Sequence, residues 1–317
     1  MDQAADITLN SIAQDLADEE KAYDFLEAIR WQTGPVCPHC GTINHAYHLK
    51  PKNGPRKTRS GKVTFRKVWK CGGCRKQFTV TVGTCMERSH IPLRKWVLAF
   101  HLLSAAKNGM SSHELGRQLG ISHESAWFMS HRLRLAFAPS GSQRSLAGTV
   151  EADETYIGGK RKPSPGRRAM DLKVPVVTLV ERNGEARSQV MVMVNAANLK
   201  ERLTDHIDPS AVLMTDGLVS YKPVGKHFAS HESVDHANGE YVRGNAHTNT
   251  VEGFFSQLKR SLDGTHHHVS AQHLNRYLAE FDFRYNTRKD KDGERTVKAI
   301  RKSAGKRLTY QVSTERD

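Results

Sequence analysis

Apolar residues recur at helical spacing in two stretches of the first half of the chain. In residues 19–31 they lie three or four positions apart, and Asp18 precedes them as a predicted N-cap. The second stretch runs from Leu93 to Phe137 and is interrupted at Gly120-Ile121-Ser122. Glycine commonly ends a helix and serine begins one, so this stretch predicts a helix-turn-helix. A purely structural three-helix bundle would give the same pattern.

The pattern changes after the low-complexity segment 139–142. The segments TVEADETYIGG (149–159), VVTLVE (176–181) and RSQVMVMVN (187–195) are rich in β-branched residues, and Asn183-Gly184 predicts a hairpin turn. Pro175 fits only the start of the second strand. A helix over 196–207, a strand over 212–216, a helix beginning near Asn249 and a helix over 270–287 follow. This β-β-β-α-β-α order predicts an α/β fold with a mixed sheet covered by helices.

The net charge of the chain indicates a polyanionic partner. The chain has 317 residues, a formal net charge of +15 and a pI near 9.7. Residues 41–80 contain eleven Lys or Arg and no acidic residue, so much of the excess lies on one small module. A solvated basic loop is the alternative. The sequence has neither an apolar run of membrane-spanning length nor a signal-peptide pattern at its N-terminus, so we expect an intracellular protein.

Four of the five cysteines form two Cys-x-x-Cys pairs, Cys37/Cys40 and Cys71/Cys74. Two such turns can present four thiolates tetrahedrally, which predicts a structural zinc site with no open position for a catalytic water. The interval between the pairs is longer than usual, so we expect an inserted basic hairpin. Cys85 stands alone and is predicted to be a small buried apolar residue.

Three carboxylates occupy positions that can converge at one sheet edge. Asp153 lies within the first predicted strand, Asp216 ends the strand VLMTD, and Glu252 lies in the first turn of the helix near Asn249. Carboxylates held close together repel unless cations lie between them, so the arrangement predicts hard divalent metals. Two Mg²⁺ or Mn²⁺ ions in such a site would support phosphodiester displacement.

The order of these motifs resembles a known family. VEADETYIGGK, MTDGLVSY and HTNTVEGFFSQLKR, preceded by RWQTGPVCPHC, are similar to motifs of zinc-ribbon DDE insertion-sequence transposases of the ISXO and Merlin type. The resemblance runs from about residue 19 to 288. It implies an RNase H-like mixed sheet with helices on both faces, preceded by the zinc ribbon and the helix-turn-helix-like region. It also implies that Asp153, Asp216 and Glu252 bind the metals and that Lys259 contacts DNA near the scissile phosphate.

Helical geometry agrees with the implied role of Lys259, because seven residues are two turns and place it on the same face as Glu252. A solvated surface lysine is the alternative. Other residues predicted to contact DNA lie in the ribbon, at the start of the second helix of the helix-turn-helix, in the basic tip after the first strand, and beside Lys259. They are Lys57, Arg59, Lys62, Arg66, Lys67, His123, Ser125, Lys160, Arg161 and Arg260.

Glu252 also has a possible structural role in its helix. It could instead reach back and cap the helix at Asn249, in which case His247 or Asn249 would be substitutes for it. Glu151 and Glu154 are second choices, because we expect strand alternation to turn both away from the face of Asp153.

The sequence therefore predicts five segments: a helical lead-in (1–33), a zinc ribbon (34–88), a helix-turn-helix-like region (89–140), an RNase H-like catalytic domain (145–290) and a basic tail (291–317). The resemblance implies a transposase that binds terminal inverted repeats and target DNA as a homodimer or larger assembly, in the bacterial cytoplasm at the nucleoid. Its reaction would be DNA cleavage followed by strand transfer. A catalytically inactive DNA-binding regulator and an RNase H-like nuclease are the alternatives.

Overall fold

The computed structural model describes residues 7–309 except 17, 51–55, 58, 60, 62, 142 and 159–172. The chain forms two compact units. The first comprises the described parts of residues 1–106, 110–138 and 290–315, and the second comprises those of residues 107–109 and 139–289. One boundary between the units therefore falls beside the low-complexity segment.

The first unit is mainly helical. Asp18 caps the helix predicted over 19–31, its carboxylate accepting a hydrogen bond from the Lys21 amide at 2.8 Å. Among the described residues, no helix is both long enough and apolar enough to cross a membrane. The helices of this unit are α1 (Leu9–Asp15), α2 (Glu19–Arg30), α3 (Leu93–Ala105), α4 (Ser112–Leu119), α5 (His123–Phe137) and α10 (Asp292–Lys302).

Helices α4 and α5 form the predicted helix-turn-helix. Gly120 ends α4 in the left-handed conformation with φ +58°, which glycine adopts without steric cost. The Ser122 hydroxyl then accepts a hydrogen bond from the Ser125 amide at 3.3 Å, so its predicted role as N-cap of α5 is confirmed.

Helix α10 lies where the sequence predicts only a basic tail. It packs against α2, α3 and α5, and the Thr296 hydroxyl lies 2.9 Å from Nδ1 of the buried His101. Val297, Ala299 and Ile300 are buried, so α10 has one apolar stripe among its basic residues.

The ribbon in this unit is a three-stranded antiparallel sheet in the order β1-β4-β5, with a separate short hairpin of β2 and β3. That hairpin lies between the two cysteine pairs, where the sequence predicts an insertion. The strands are β1 (Ala46–Leu49), β2 (Arg56–Lys57), β3 (Val63–Thr64), β4 (Val68–Cys71) and β5 (Gln77–Phe78).

The second unit is built on a five-stranded mixed sheet in the order β10-β9-β6-β7-β8. Strands β6, β7 and β8 are antiparallel neighbours, whereas β9 runs parallel to both β6 and β10. This is the strand order of the RNase H-like fold. The strands are β6 (Thr149–Ile157), β7 (Val174–Glu181), β8 (Ala186–Val190), β9 (Val212–Thr215) and β10 (Ser230–Ser233).

Helices cover both faces of this sheet. On one face, Val150 and Ala152 of β6 pack with Leu199 and Leu203 of α6. On the other, Val176 and Val180 of β7 pack with α8 and α9 in a cluster that includes Phe254. The predicted fold class is confirmed. The helices are α6 (Ala196–His206), α7 (Lys222–Gly225), α8 (Asn249–Ser261), which continues as a π-helical segment (Leu262–His266), and α9 (Ala271–Asn286).

Two strands differ from the prediction. β8 ends at Val190 rather than at residue 195, because its neighbour β7 begins at Val174 and offers no partner beyond the Met191 amide, which donates to the Pro175 carbonyl at 3.0 Å. Val192 is consequently 98% exposed. β10 was not predicted, because its sequence, Ser-His-Glu-Ser, is polar throughout. It forms an edge strand whose ladder bonds to β9 do not depend on apolar side chains.

Candidate active site and zinc site

The four paired cysteines meet at one point in the ribbon. Their ligand atoms all lie within 4.8 Å of one another, and the Sγ–Sγ distances Cys37–Cys74 and Cys40–Cys71 are both 3.6 Å. A tetrahedral zinc ion with Zn–S bonds of about 2.3 Å requires sulfurs roughly 3.8 Å apart, so the donor set fits zinc. The sequence prediction of which cysteines converge is therefore correct.

Local hydrogen bonds preshape both turns of this cluster. The Gly41 amide donates to the Cys37 carbonyl at 2.9 Å and the Arg75 amide to the Cys71 carbonyl at 3.1 Å. The Thr42 side chain, 3.2 Å from Cys40 Sγ, is the main cause that lowers the pKa of this thiol to about 6. The thiolate that zinc requires is thus favoured at Cys40. Cys85 is fully buried elsewhere, and burial raises the pKa of its thiol to about 12, in keeping with the predicted apolar role.

The carboxylates meet where β9 ends beside the middle of β6. The β6–β9 ladder ends at the pair Ala152–Thr215, and Asp153 and Asp216 are the next residue along each chain segment. Because the two strands are parallel and in register, these two residues lie side by side, as predicted. Glu154 joins them: one ligand oxygen from each of the three carboxylates lies within 4.8 Å of the others.

Burial and mutual repulsion destabilise the ionised carboxylates of this cluster when no cation is bound. Desolvation, followed by the charges of Glu154, Asp216 and Glu252, raises the pKa of Asp153 to about 8. Desolvation and the charge of Asp216 raise the pKa of Glu154 to about 7, although the Tyr221 hydroxyl, 3.1 Å away, donates a hydrogen bond to its carboxylate. All the donors are hard carboxylate oxygens, so the cluster fits a hard divalent cation.

Glu252 lies beside this cluster rather than within it. It occupies the first turn of α8, where its carboxylate accepts a hydrogen bond from the Thr248 hydroxyl at 2.9 Å and lies 3.5 Å from His236 Nε2. The expected alternative, a cap on the Asn249 amide, is not formed. Thr248 is the N-cap, and the Asn249 amide donates to His247 Nδ1 at 3.4 Å. The charge of Glu252 nevertheless acts on Asp153.

Glu151 explains how α8 is held against the sheet. Its side chain is fully buried and accepts hydrogen bonds from the Thr250 amide at 2.7 Å, the Val251 amide at 2.9 Å and Arg182 Nε at 2.7 Å. A carboxylate at a helix N-terminus is favoured by the free amides and the helix dipole. His247 belongs to the same network, 3.3 Å from the Glu151 carboxylate, whereas Asn249 is exposed.

The expectation that Glu151 and Glu154 both turn away from the face of Asp153 was wrong for Glu151 and holds for Glu154. Alternation has a period of two, so Glu151 shares the face of Asp153, as its contact with α8 shows. Glu154 does point to the other face, where Tyr221 lies. A carboxylate oxygen of Glu154 nevertheless lies within 4.8 Å of ligand oxygens of Asp153 and Asp216, so Glu154 belongs to the cluster. Tyr221 was missed altogether, although it follows Asp216 by five residues.

The residues predicted to contact DNA have different surroundings. Lys57, Arg59, Arg66, His123, Lys259 and Arg260 are exposed, and Ser125 is half-buried. Lys67 lies between two acids of α2, with Nζ 2.5 Å from Asp24 and 2.7 Å from Glu27. It therefore stabilises the ribbon instead of presenting a free charge. Lys62, Lys160 and Arg161 lie outside the described residues.

Family comparisons agree with this arrangement. Residues 145–286 match the family described as the ISXO2-like transposase domain, and residues 17–77 match the transposase zinc-ribbon domain. The chain is 29% identical over 303 residues to an uncharacterized protein in transposable element ISH50 of Halobacterium salinarum, covering 90% of this chain and 97% of that protein. The chain therefore carries the zinc-ribbon and DDE domains of insertion-sequence transposases.

Two solved structures are similar to parts of the chain. One is a simian T-cell lymphotropic virus intasome in complex with the PP2A regulatory subunit B56 gamma, with 10% identity and a TM-score of 0.29, covering 58% of this chain and 65% of that chain. The other is the Mos1 strand transfer complex, with 15% identity and a TM-score of 0.29, covering 66% and 74%. The fold assignment rests on the strand order and on the family match.

Proposed function

We propose that this transposase cleaves the ends of its own mobile element and joins them to target DNA in a divalent-metal-dependent reaction. The observation that carries the proposal is the convergence of Asp153, Glu154 and Asp216 where β9 ends beside β6, with Glu252 on the adjacent helix. Asp153, Asp216 and Glu252 would hold two Mg²⁺ or Mn²⁺ ions. When bound, the ions would activate the attacking oxygen and stabilise the leaving one.

The chain's own residues prepare this site in three ways. The Leu218 amide donates to the Asp216 carboxylate at 3.1 Å and fixes the end of β9. Tyr221 orients Glu154, and Glu151 holds α8 so that Glu252 faces β6. Lys259, exposed two turns beyond Glu252 on α8, would bind the phosphate that flanks the reaction.

The reaction needs no covalent protein intermediate. In the first step a water oxygen bonds to phosphorus and the bond to the 3′-oxygen breaks, leaving a 3′-hydroxyl at the transposon end. In the second step that hydroxyl loses its proton, its oxygen bonds to a target phosphorus, and a target 3′-oxygen leaves. The number of phosphodiester bonds is conserved in the second step, so no external energy source is required.

We assign end recognition to the first unit. The exposed Lys57, Arg59 and Arg66 of the ribbon would contact backbone phosphates, and His123 at the start of α5 would lie at base edges in the major groove. Joining two ends in one event requires two catalytic sites, so we infer a dimer or larger assembly on DNA.

Strand transfer from a pre-cut transposon end, in Mg²⁺ or Mn²⁺, tests the proposal. Asp216→Asn and Glu252→Gln should each abolish product while leaving end binding intact, and Glu201→Gln, an exposed acid on α6, should behave as wild type. Full activity of Glu252→Gln would remove Glu252 from the metal site. Nicking without joining by the wild-type protein would indicate a nuclease instead.

A further inference from the structure

The segment between β10 and α8 presents an exposed aromatic side chain beside the carboxylate site. Tyr241 is 60% exposed and its neighbour Val242 is 53% exposed. Together with Val219, which is 70% exposed and follows Asp216 by three residues, they account for three of the nine large hydrophobic side chains that are exposed in the described part of the chain. Three exposed apolar side chains thus lie in the segments that follow β9 and its neighbour β10.

Hydrogen bonds give this segment a fixed conformation. The Asp235 carboxylate accepts from the Ala237 amide at 3.1 Å and from Asn238 Nδ2 at 2.7 Å. Arg243 donates to the Ser233 carbonyl at 2.9 Å and pairs with Glu240 at 3.1 Å. Tyr241 therefore lies in a hydrogen-bonded segment, so a ligand that binds to it loses little binding free energy to ordering of the segment.

His236 connects this tyrosine to the catalytic carboxylates. The rings of His236 and Tyr241 are stacked, with centroids 5.1 Å apart and planes 27° apart. Nε2 of the same ring lies 3.5 Å from the Glu252 carboxylate. A single imidazole ring therefore links Tyr241 to Glu252.

We propose that Tyr241, supported by His236, is a stacking platform for one unpaired nucleobase of the transposon end, next to the phosphate that is cut. This rests on the proposed function, because it assumes that DNA enters the site. An aromatic face binds any base by stacking, so the platform would accept the end base whatever its identity. The platform would hold the end strand open and aim its phosphate at the carboxylates.

The test uses 2-aminopurine, whose fluorescence falls when it stacks, placed in turn at each nucleotide within three positions of the cut. Measurements are made in an Asp153→Asn background so that the DNA stays uncut. At one position the complex with the otherwise unmodified protein and the complex with Tyr241→Phe should both be markedly dimmer than the complex with Tyr241→Ala, in which the unpaired base has no ring to stack on. Equal fluorescence with Tyr and Ala at every position would overturn the proposal. Because this readout needs binding and not chemistry, it separates failure of the platform from failure of the proposed reaction.

Strand transfer with active-site residues intact gives an independent check. Stacking is worth about 1–3 kcal/mol per base, so Tyr241→Ala should slow strand transfer about 5- to 150-fold while Tyr241→Phe remains close to wild type. An abasic nucleotide at the quenched position should cause a similar loss, and combining it with Tyr241→Ala should add none. If the two losses multiplied instead, the tyrosine and the base would act independently and the proposal would fail. Met193→Ala, an exposed apolar side chain after β8, is the control.

Discussion

The buried carboxylate of Glu151 should be the main anchor between α8 and the sheet. Its oxygens accept hydrogen bonds from the amides of Thr250 and Val251, from the Thr250 hydroxyl at 2.8 Å and from Arg182 Nε. Glu151→Ala removes all of these acceptors at once. The amides of the first turn of α8 lose their acceptor. Arg182, whose side chain is only 19% exposed, loses its carboxylate partner.

The expected loss of stability follows from these contacts. Breaking a buried ion pair from one side costs about 3–5 kcal/mol, and each hydrogen bond to a charged group contributes about 1.5–3 kcal/mol. These contributions overlap, and water can reach Arg182, so we expect the free energy of unfolding of the second unit to fall by about 3–5 kcal/mol. Glu151→Gln keeps one acceptor oxygen for the helix amides, so its free energy of unfolding should fall by roughly half as much. Glu185→Ala should cost only about 1 kcal/mol, because the Glu185 side chain is 39% exposed and the buried Arg187 keeps its hydrogen bonds to the carbonyls of Arg144 and His206.

Hydrogen exchange measures this effect where it occurs. All four tryptophans (Trp31, Trp69, Trp96 and Trp127) lie in the first unit, so their fluorescence does not report directly on the second unit. Peptides from α8 should exchange faster in Glu151→Ala than in wild type or in Glu185→Ala, and urea denaturation followed by circular dichroism should give the size of the loss. A loss below about 1 kcal/mol with unchanged exchange in α8 would refute the anchoring role.

Three further predictions concern the two metal sites and DNA. Cys71→Ser should lower zinc content, the thermal stability of the ribbon and end binding together, because zinc binding and folding of such modules are coupled; full binding by the zinc-free variant would contradict this. The pKa of Asp153, about 8 against its usual 3.8, means that the folded state holds the proton more tightly, so the metal-free protein should lose stability as pH rises from about 4 to about 8. Asp153→Asn should therefore stabilise the protein in EDTA at pH 8.5, and wild-type affinity for Mn²⁺ in calorimetric titrations should fall as pH drops below about 8; pH-independent affinity would contradict the assignment. Lys259→Ala should slow strand transfer about 10- to 100-fold with little change in folding, while Lys259→Arg keeps most activity; an unchanged rate would leave Lys259 a surface lysine.

The sequence predicted the centre of the site well because that centre depends on local features. Asp153 lies within one predicted strand and Asp216 ends another, and the parallel, in-register pairing of these strands brings the two residues together. The convergence of the four cysteines was equally predictable, since each pair is defined by one tight turn.

The surroundings of the site were harder to predict because they depend on long-range contacts. Glu151 acquires its role from amides about one hundred residues away, and Glu154 lies close to Asp216 only because the fold pairs β6 with β9. The edge strand β10 is polar, so no hydrophobic pattern marks it. Helix α10 joins the first unit from the far end of the chain, and its apolar stripe is masked by basic residues.

Metal rescue of strand transfer is the most direct test of the central claim that these carboxylates hold the catalytic metals. Asp153→Cys replaces a hard oxygen ligand by a thiolate, which Mn²⁺ tolerates better than Mg²⁺. Strand transfer by Asp153→Cys should be lost in Mg²⁺ and at least partly restored in Mn²⁺, whereas Asp153→Ala should stay inactive in both. Wild-type rates for both variants in Mg²⁺ would show that Asp153 does not ligate a catalytic metal.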